Sequence, residues 1–320
     1  MSKHVKGNLI LLSTAIIWGA AFFCQSITTE YMNAYNVLFL RSVIGILALA
    51  PVVIYSLRKD KKENKNYKTK DVIIGGLLCG SFLTLASLFQ QIGIETTSAG
   101  KAGFITSLYI VLVPIIALIF KKKAGINVYI SLGIALIGLF FLSIDFNDLG
   151  NFKIGDLYIL IGAFFFSLQI ITIDLYSKKV NCFLFTQIQL VVQGIFSFVV
   201  GGIVNGFGTL ANVNFNAESV LAILYIGVMS SAVAYTLQAI GQKNTDPTVA
   251  SLIMSLESVF GAIFAAVLYI FYKFTDVNQF MSAQEIFGAI IVFIAVILSQ
   301  LDFKILKEKI SKKPAEKEDI

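Results

Sequence analysis

The chain carries two related stretches, in which residues 90–111 read QQIGIETTSAGKAGFITSLYIV and residues 238–259 read QAIGQKNTDPTVASLIMSLESV. The two stretches lie 148 positions apart. Three polar residues match between them in one register: Gln90/Gln238, Thr97/Thr245 and Ser107/Ser255. Matches between leucines are expected by chance in an apolar chain, whereas polar matches in one register are not. The sequence therefore contains an internal repeat.

The same offset of 148 aligns the two halves without a gap from Gly7 on Gly155 onward, and it sets Asn33 on Asn181. The second half then gains about seven residues near Lys273–Ser282, after which Gly133 meets Gly288. These matches predict one repeat over residues 1–150, a second over 151–302, and a tail over 303–320.

The composition excludes an ordinary soluble domain. Hydrophobic residues make up 57% of the 320 residues, charged residues only 14%, and the mean hydropathy is +0.82. A soluble domain carries roughly 25% charged residues, which a chain of this kind lacks. The protein is therefore predicted to be integral to a membrane.

Each half contains five apolar runs long enough to cross a bilayer as helices, since about 20 residues span the hydrocarbon core. Ten spans are predicted: 7–26, 36–57, 71–93, 99–120, 126–144, 155–176, 183–204, 218–241, 247–271 and 283–301. The runs lack the alternation typical of membrane barrels. Because five is odd, the second half enters the membrane from the opposite side. The predicted fold class is all-α, with ten transmembrane helices as two inverted five-helix repeats.

The basic residues predict the orientation of the chain. Of the 25 lysines and arginines, 21 fall in the termini and in alternate connectors, and only Lys101, Lys153 and Lys273 fall in the remaining connectors. Positive residues concentrate on the cytoplasmic side. We therefore expect a multi-pass protein of the cytoplasmic membrane with both termini in the cytoplasm. The net charge of +6 then reflects topology and anionic lipid, and not a nucleic-acid partner.

Several kinds of site have no support in the sequence. The three cysteines are isolated, and the only histidine is His4, so a metal site is not expected. No Gly-x-x-x-x-Gly-Lys motif for nucleotide phosphates occurs. We expect no cofactor, no metal and no enzyme activity.

The chain resembles the drug/metabolite transporter superfamily, EamA type, over residues 7 to 301. The resemblance rests on the five-plus-five spans and on four stretches: Trp18-Gly19, Leu40-Arg41, Ser107–Pro114 and Glu257-Ser258-Val259-Phe260. It implies a secondary transporter that moves a small metabolite by alternating access, with a binding site near the midplane between the repeats.

The chain departs from that family at two places. Family members often have Glu-Pro where this chain has Glu257-Ser258. A Gly-Glu pair often closes the fourth and ninth spans, where this chain has Phe120-Lys121 and Phe271-Tyr272. Because the glutamates of those Gly-Glu pairs are absent from this chain, any gating role that they have in the family cannot be assigned to it.

Two ionisable residues inside predicted spans are the main candidates for function, because a charge in hydrocarbon is costly. Glu257 lies near the middle of the ninth span, and its repeat counterpart is Tyr109. Glu257 is predicted to bind a substrate cation or to carry a coupling proton, and the alternative is a structural hydrogen-bonded carboxyl. Arg41 is predicted to bind a substrate carboxylate or phosphate. The alternatives for Arg41 are a side chain reaching the headgroups and an ion pair between helices.

Further residues in the spans could contact the substrate through amide, hydroxyl or aromatic groups. These candidates are Trp18, Tyr109, Gln169, Tyr235, Gln238 and Ser255. Close helix packing is the alternative for the serine, and core filling is the alternative for the tryptophan.

The fifth and tenth spans contain almost no polar residues, so they are predicted to lie at the periphery. They could join two copies in a homodimer. The remaining eight spans are then expected to surround the cavity. The charged tail is expected to be partly disordered at the membrane surface.

Efflux of amino acids or related metabolites is the predicted function, with the lipid bilayer and a small-molecule substrate as the partners. The alternative within transport is ion-coupled uptake of an organic cation of the choline type, bound by Glu257 and aromatic rings. More distant alternatives are a membrane-embedded enzyme and a non-transporting sensor.

Overall fold

The computed structural model describes residues 2–97, 99–143, 153–272 and 282–300, and in these ranges it is helical without strands. The α-helices are α1 (Lys3–Thr29), α2 (Ala34–Lys62), α3 (Thr69–Ile94), α4 (Ala99–Ser107), α5 (Tyr109–Ile119), α6 (Ile126–Ser143), α7 (Ile154–Tyr176), α8 (Cys182–Asn205), α9 (Ala217–Tyr225), α10 (Tyr235–Gln242), α11 (Pro247–Met254), α12 (Leu256–Tyr272) and α13 (Ala283–Ser299). A 3₁₀-helix occupies Phe207–Asn212, and a π-helical segment occupies Ile226–Ala234.

All ten predicted spans coincide with helices. Eight helical stretches are long and apolar enough to cross a bilayer, and two shorter apolar helices, Ile126–Leu142 and Ala283–Ser299, stand at the fifth and tenth spans. The all-α membrane fold is therefore confirmed. The predicted insertion and the charged tail fall largely on residues 273–281 and 301–320, which lie outside the described residues.

Three spans are built from more than one helical segment, a feature that the hydropathy pattern does not predict. The fourth span is α4 and α5, interrupted at Leu108, and the ninth is α11 and α12, interrupted at Ser255. At both places the backbone makes hydrogen bonds that span three residues. Leu108 N donates to Ile105 O and Val111 N donates to Leu108 O at the first, and Ser258 N donates to Ser255 O at the second. The eighth span is α9, the π-helical segment and α10.

The contacts between the two halves come in pairs that the repeat relates. Helix α1 packs on α12, and in the equivalent contact α7 packs on α4 and α5. Helix α3 packs on α7, and in the equivalent contact α1 packs on the eighth span. Helix α2 packs on its own counterpart α8. The two halves thus surround the centre of the bundle as related units.

Two equivalent contacts, which we call the first and second joints, explain the polar and glycine matches in the sequence. In the first joint, Thr97 Oγ1 donates to Asp156 Oδ1 at 2.8 Å, and Lys101 Nζ lies 2.7 Å from Asp156 Oδ2. In the second joint, Thr245 Oγ1 donates to Asn8 Oδ1 at 2.9 Å. Asn8 and Asp156 are counterparts at the offset of 148, so one joint is charged and the other is neutral.

Glycines allow the helices to approach closely at both joints. A Cβ atom on Gly7 would lie 2.9 Å from the carbonyl oxygen of Gly241, and one on Gly155 would lie 2.5 Å from the carbonyl oxygen of Gly93. Real Cβ atoms essentially never come this near to backbone, so only glycine fits at these positions.

Helices α6 and α13 pack against each other. A Cβ atom on Gly288 would lie 2.6 Å from the carbonyl oxygen of Gly138, so these glycines permit close approach. Gly138 and Gly288 therefore form a contact between two helices of the same chain. The homodimer expected through these two spans stays a prediction.

Candidate functional site

A cavity lies between the two halves of the chain, and residues of both halves form its wall. Its walls come from seven of the ten spans. The lining residues are Trp18, Ala21, Phe22, Gln25, Arg41, Gln90, Thr106, Tyr109, Phe166, Gln169, Ile170, Ser230, Tyr235, Gln238 and Glu257. Helices α6, α8 and α13 contribute none of these residues, so the seventh span departs from the expected arrangement.

Arg41 is almost fully buried, and hydroxyl groups are its hydrogen-bond partners. Its Nε atom donates to Ser231 Oγ at 2.9 Å, and one Nη atom donates to Ser230 Oγ at 3.1 Å. No carboxylate of the described residues forms an ion pair with it. A guanidinium has five N–H donors, so Arg41 keeps donors for a further group. The alternatives of a helix-packing ion pair and of a side chain reaching the headgroups do not fit this geometry.

The two serines that contact Arg41 belong to the π-helical segment. A π-helix is rare and often marks a functional site, because its wider turn shifts the side chains that follow. Ser231 Oγ itself donates to the carbonyl oxygen of Ile226 at 2.9 Å. The hydroxyl is therefore held in place and accepts from Arg41, so the segment fixes the position of the guanidinium.

Glu257 lies in the first turn of α12, directly after the interruption of the ninth span. Its side chain is buried, and Tyr109 Oη donates to its Oε1 at 3.0 Å. No basic group of the described residues forms an ion pair with it. The cavity thus has one basic and one acidic wall residue, and neither has an ion-pair partner among the described residues.

Aromatic rings form another part of the wall. The rings of Trp18 and Tyr235 have centroids 5.2 Å apart at an angle of 59°. Trp18 Nε1 donates to the carbonyl oxygen of Ser230 at 3.3 Å. The tryptophan is therefore anchored to the same π-helical segment that contacts Arg41.

Glutamine side chains supply the remaining polar wall. Gln169 and Gln238 form a reciprocal amide pair, in which each Nε2 donates to the other Oε1 at 3.0 Å. Gln90 Nε2 donates to Thr106 Oγ1 at 2.9 Å. These contacts orient the amides while leaving one donor or acceptor site on each group.

Seven of the eight residues predicted to bind substrate lie on this wall. Arg41 and Glu257 share the cavity, and so do Trp18, Tyr109, Gln169, Tyr235 and Gln238. Ser255 does not, because its Oγ donates to the carbonyl oxygen of Leu252 at 2.8 Å at the interruption between α11 and α12. For Ser255 the packing interpretation fits better than binding.

Sequence reasoning missed Gln25, Thr106 and Ser230 as cavity residues. Gln25 stands on the same face of α1 as Trp18, Ala21 and Phe22, with spacing typical of one helix face. This spacing was available in the sequence. The position of Ser230 depends on the π-helical turn, for which the sequence gives no clear signal.

Comparison with known proteins identifies the family. The model of the EamA-like transporter family matches residues 5–144 and 153–301, which together include both halves and nearly all described residues. The chain belongs to the EamA-like transporter family. This confirms the resemblance noted in the sequence. As an EamA-like protein it is a multi-pass membrane transporter.

Two archaeal relatives of this EamA-like chain come from Archaeoglobus fulgidus, and both are named uncharacterized transporters. One is 28% identical over 302 residues, covering 93% of this chain and 87% of the relative. The other is 24% identical over 303 residues, covering 92% and 97%. A solved crystal structure at 13% identity superposes with a TM-score of 0.71, covering 96% of this chain and 99% of the other, and so shares the fold.

Proposed function

We propose that this protein exports amino acids or closely related zwitterionic metabolites by alternating access. One observation carries this proposal. Arg41 and Glu257 line a single buried cavity between the two repeats, and neither has a charged partner among the described residues.

Two opposite charges without protein partners suit a ligand that bears both charges. A carboxylate can accept the free N–H donors of Arg41, and such charge-assisted bonds are among the strongest in proteins. An ammonium group can then donate to Glu257. When the cavity holds no substrate, Glu257 can instead hold a proton, which makes it the candidate for proton coupling.

The location of the cavity supports alternating access. It lies between the inverted halves, and the two joints are equivalent contacts, each of which connects one half to the other. Exchange of the conformations of the halves would move the opening from one face to the other. We further propose the cytoplasmic membrane as the location, with both termini in the cytoplasm, from the distribution of the lysines.

Uptake of an organic cation is the second candidate, and the Trp18–Tyr235 pair beside the cavity favours it. A quaternary ammonium group binds well against aromatic faces. Arg41 opposes this candidate, because a ligand that carries only positive charge would meet an uncompensated guanidinium in the same cavity. Family membership favours transport over a membrane-embedded enzyme or a sensor.

Flux measurements in liposomes test the proposal. The purified protein is expected to move several labelled amino acids from a broad metabolite panel that also contains choline. Glu257→Gln should lower amino-acid flux about tenfold or more, which corresponds to about 1.4 kcal/mol in binding or barrier. Folding should be unchanged, because the amide still accepts from Tyr109.

Glu63→Gln is the matched control, since Glu63 is an exposed carboxylate beyond the end of α2. It should transport at the wild-type rate. Transport of choline but no amino acid would favour the second candidate. If the wild type moves nothing in the panel, or if Glu257→Gln transports as the wild type does, the assignment fails.

A further inference from the structure

Two buried amide oxygens near the cavity have no hydrogen-bond donor among the described residues. They are Oε1 of Gln25 on α1 and Oε1 of Gln91 on α3. Gln25 is 4% exposed and Gln91 is fully buried. An unpaired buried acceptor is costly, so two of them on helices that contact each other call for a ligand.

Hydrogen bonds place the side chain of Gln91 against the backbone of Gln25. Gln91 Nε2 donates to the backbone carbonyl oxygen of Gln25 at 3.3 Å and to Thr28 Oγ1 at 3.5 Å. Thr28 Oγ1 donates to the same carbonyl oxygen at 2.7 Å. These bonds use the Nε2 donor of Gln91 and thereby fix its Oε1 as the free end of the amide. Gln25 also lines the cavity.

The electrostatic environment at this place favours a cation. Gln25 and Gln91 stand within five residues of the C-terminal ends of α1 and α3, where the helix dipole is negative. Neither helix has a basic residue in its last turn, and the C-cap residues are Glu30 and Glu95. The C-terminal ends of both helices thus make the electrostatic potential near the two uncharged oxygens negative.

We propose that this group of oxygens binds a monovalent inorganic cation, with Gln25 and Gln91 as side-chain ligands. Hard cations prefer oxygen ligands that include amide carbonyls, and helix C-terminal ends bind coupling ions in membrane transporters. The set contains no carboxylate, which suits a single positive charge. Gln25 lines the cavity and also belongs to the proposed cation site, so a bound cation changes the affinity of the cavity for substrate. The inference rests on the proposed function only in this last coupling.

The only tryptophan of the chain provides the measurement. Trp18 lines the same cavity as Gln25, so its fluorescence reports changes there. Purified full-length protein is titrated with NaCl or KCl, and N-methyl-D-glucamine chloride keeps the ionic strength constant. A saturable change in fluorescence with either salt, in the absence of substrate, is the expected result.

Three variants locate the site. Gln91→Met should weaken cation binding about tenfold or more, as the loss of a contact worth about 1.4 kcal/mol would do. Gln25→Glu should tighten it, because the carboxylate keeps the oxygen and adds a negative charge. Gln242→Met is the matched control. Gln242 is equally buried, its Oε1 is also unpaired among the described residues and its Nε2 donates to a backbone carbonyl, but it stands near the opposite end of α1, where Gly7 approaches Gly241.

The possible outcomes are distinct. No response to Na⁺ or K⁺, or an equal loss in Gln242→Met and Gln91→Met, overturns the proposal. A response to methylammonium alone that requires Gln25 also overturns it, because the oxygens would then hold the ammonium end of a substrate. Amino-acid binding in sodium- and potassium-free medium tests the proposed function separately, and Gln91→Met should leave that binding intact.

Discussion

Arg41 contacts serine hydroxyls on one side and the cavity on the other, and this arrangement predicts how it responds to replacement. Arg41→Lys keeps the charge but cannot reach Ser230 and Ser231 together, because an ammonium lacks the forked donors of a guanidinium. We expect amino-acid binding to weaken about tenfold or more. Titration of Trp18 fluorescence with substrate measures the change.

Arg58→Lys is the control for this substitution, since the exposed Arg58 is the only other arginine of the chain. It should bind substrate as the wild type does. Equal affinities for Arg41→Lys and the wild type would show that Arg41 does not contact the substrate carboxylate.

A second prediction concerns a single glycine at the second joint. Gly7→Ala would place a Cβ atom 2.7 Å from Thr245 Oγ1 and 2.9 Å from the carbonyl oxygen of Gly241. The backbone atom cannot move aside cheaply, so overpacking should cost about 1–3 kcal/mol in the free energy of unfolding. A lower thermal unfolding midpoint in detergent is the expected result.

Gly133→Ala is the matched substitution, because a Cβ atom there meets nothing within 4 Å. Alanine is the better helix former by about 1 kcal/mol, so this variant should be as stable as the wild type or more stable. Two variants of equal stability would mean that α1 and the end of the eighth span do not pack as described.

The sequence predicted the site residues whose side chains cost much free energy in hydrocarbon, and it did not predict those whose side chains cost little. Arg41 and Glu257 stand out in apolar spans because a membrane tolerates such groups only where protein or water meets them. A serine such as Ser230 costs little in a helix and packs well, so its contact with Arg41 leaves no mark on the sequence. Ser255 has the same ambiguity, and the structure places it in a helix interruption.

At the scale of elements, hydropathy located the spans but not the breaks inside them. The interruptions at Leu108 and Ser255 and the π-helical segment change the backbone hydrogen bonds locally, while the apolar pattern continues through them. Their positions depend on packing between the halves. One such contact is the bond of 2.6 Å between the hydroxyls of Ser107 and Ser258. That contact cannot be recognised from a single sequence.

At the scale of the whole molecule, the lysine distribution predicts which face of the bundle is cytoplasmic. A reporter protein that is active only in the cytoplasm should be active when fused after Ile320. The same reporter inserted between Asn212 and Asn216, in the connector before the eighth span, should be inactive. The physical reason is that lysine-rich connectors are retained on the cytoplasmic side during insertion.

Activity at both fusion points would contradict an odd number of crossings between them, and the opposite pattern would invert the proposed direction of transport. As a control, the reporter inserted between Asn64 and Lys68, in the basic connector after α2, should be active.

Tyr109 and Glu257 occupy equivalent positions of the two halves, and they touch each other. A contact between equivalent positions is converted into itself when the halves trade conformations, whereas the contacts at the two joints are converted into each other. If the protein works by the alternating access proposed above, the bond between Tyr109 and Glu257 lies near the axis that relates the halves and is expected to persist when they exchange conformations. A substrate arriving from either compartment would meet the same carboxyl at the same depth in the membrane.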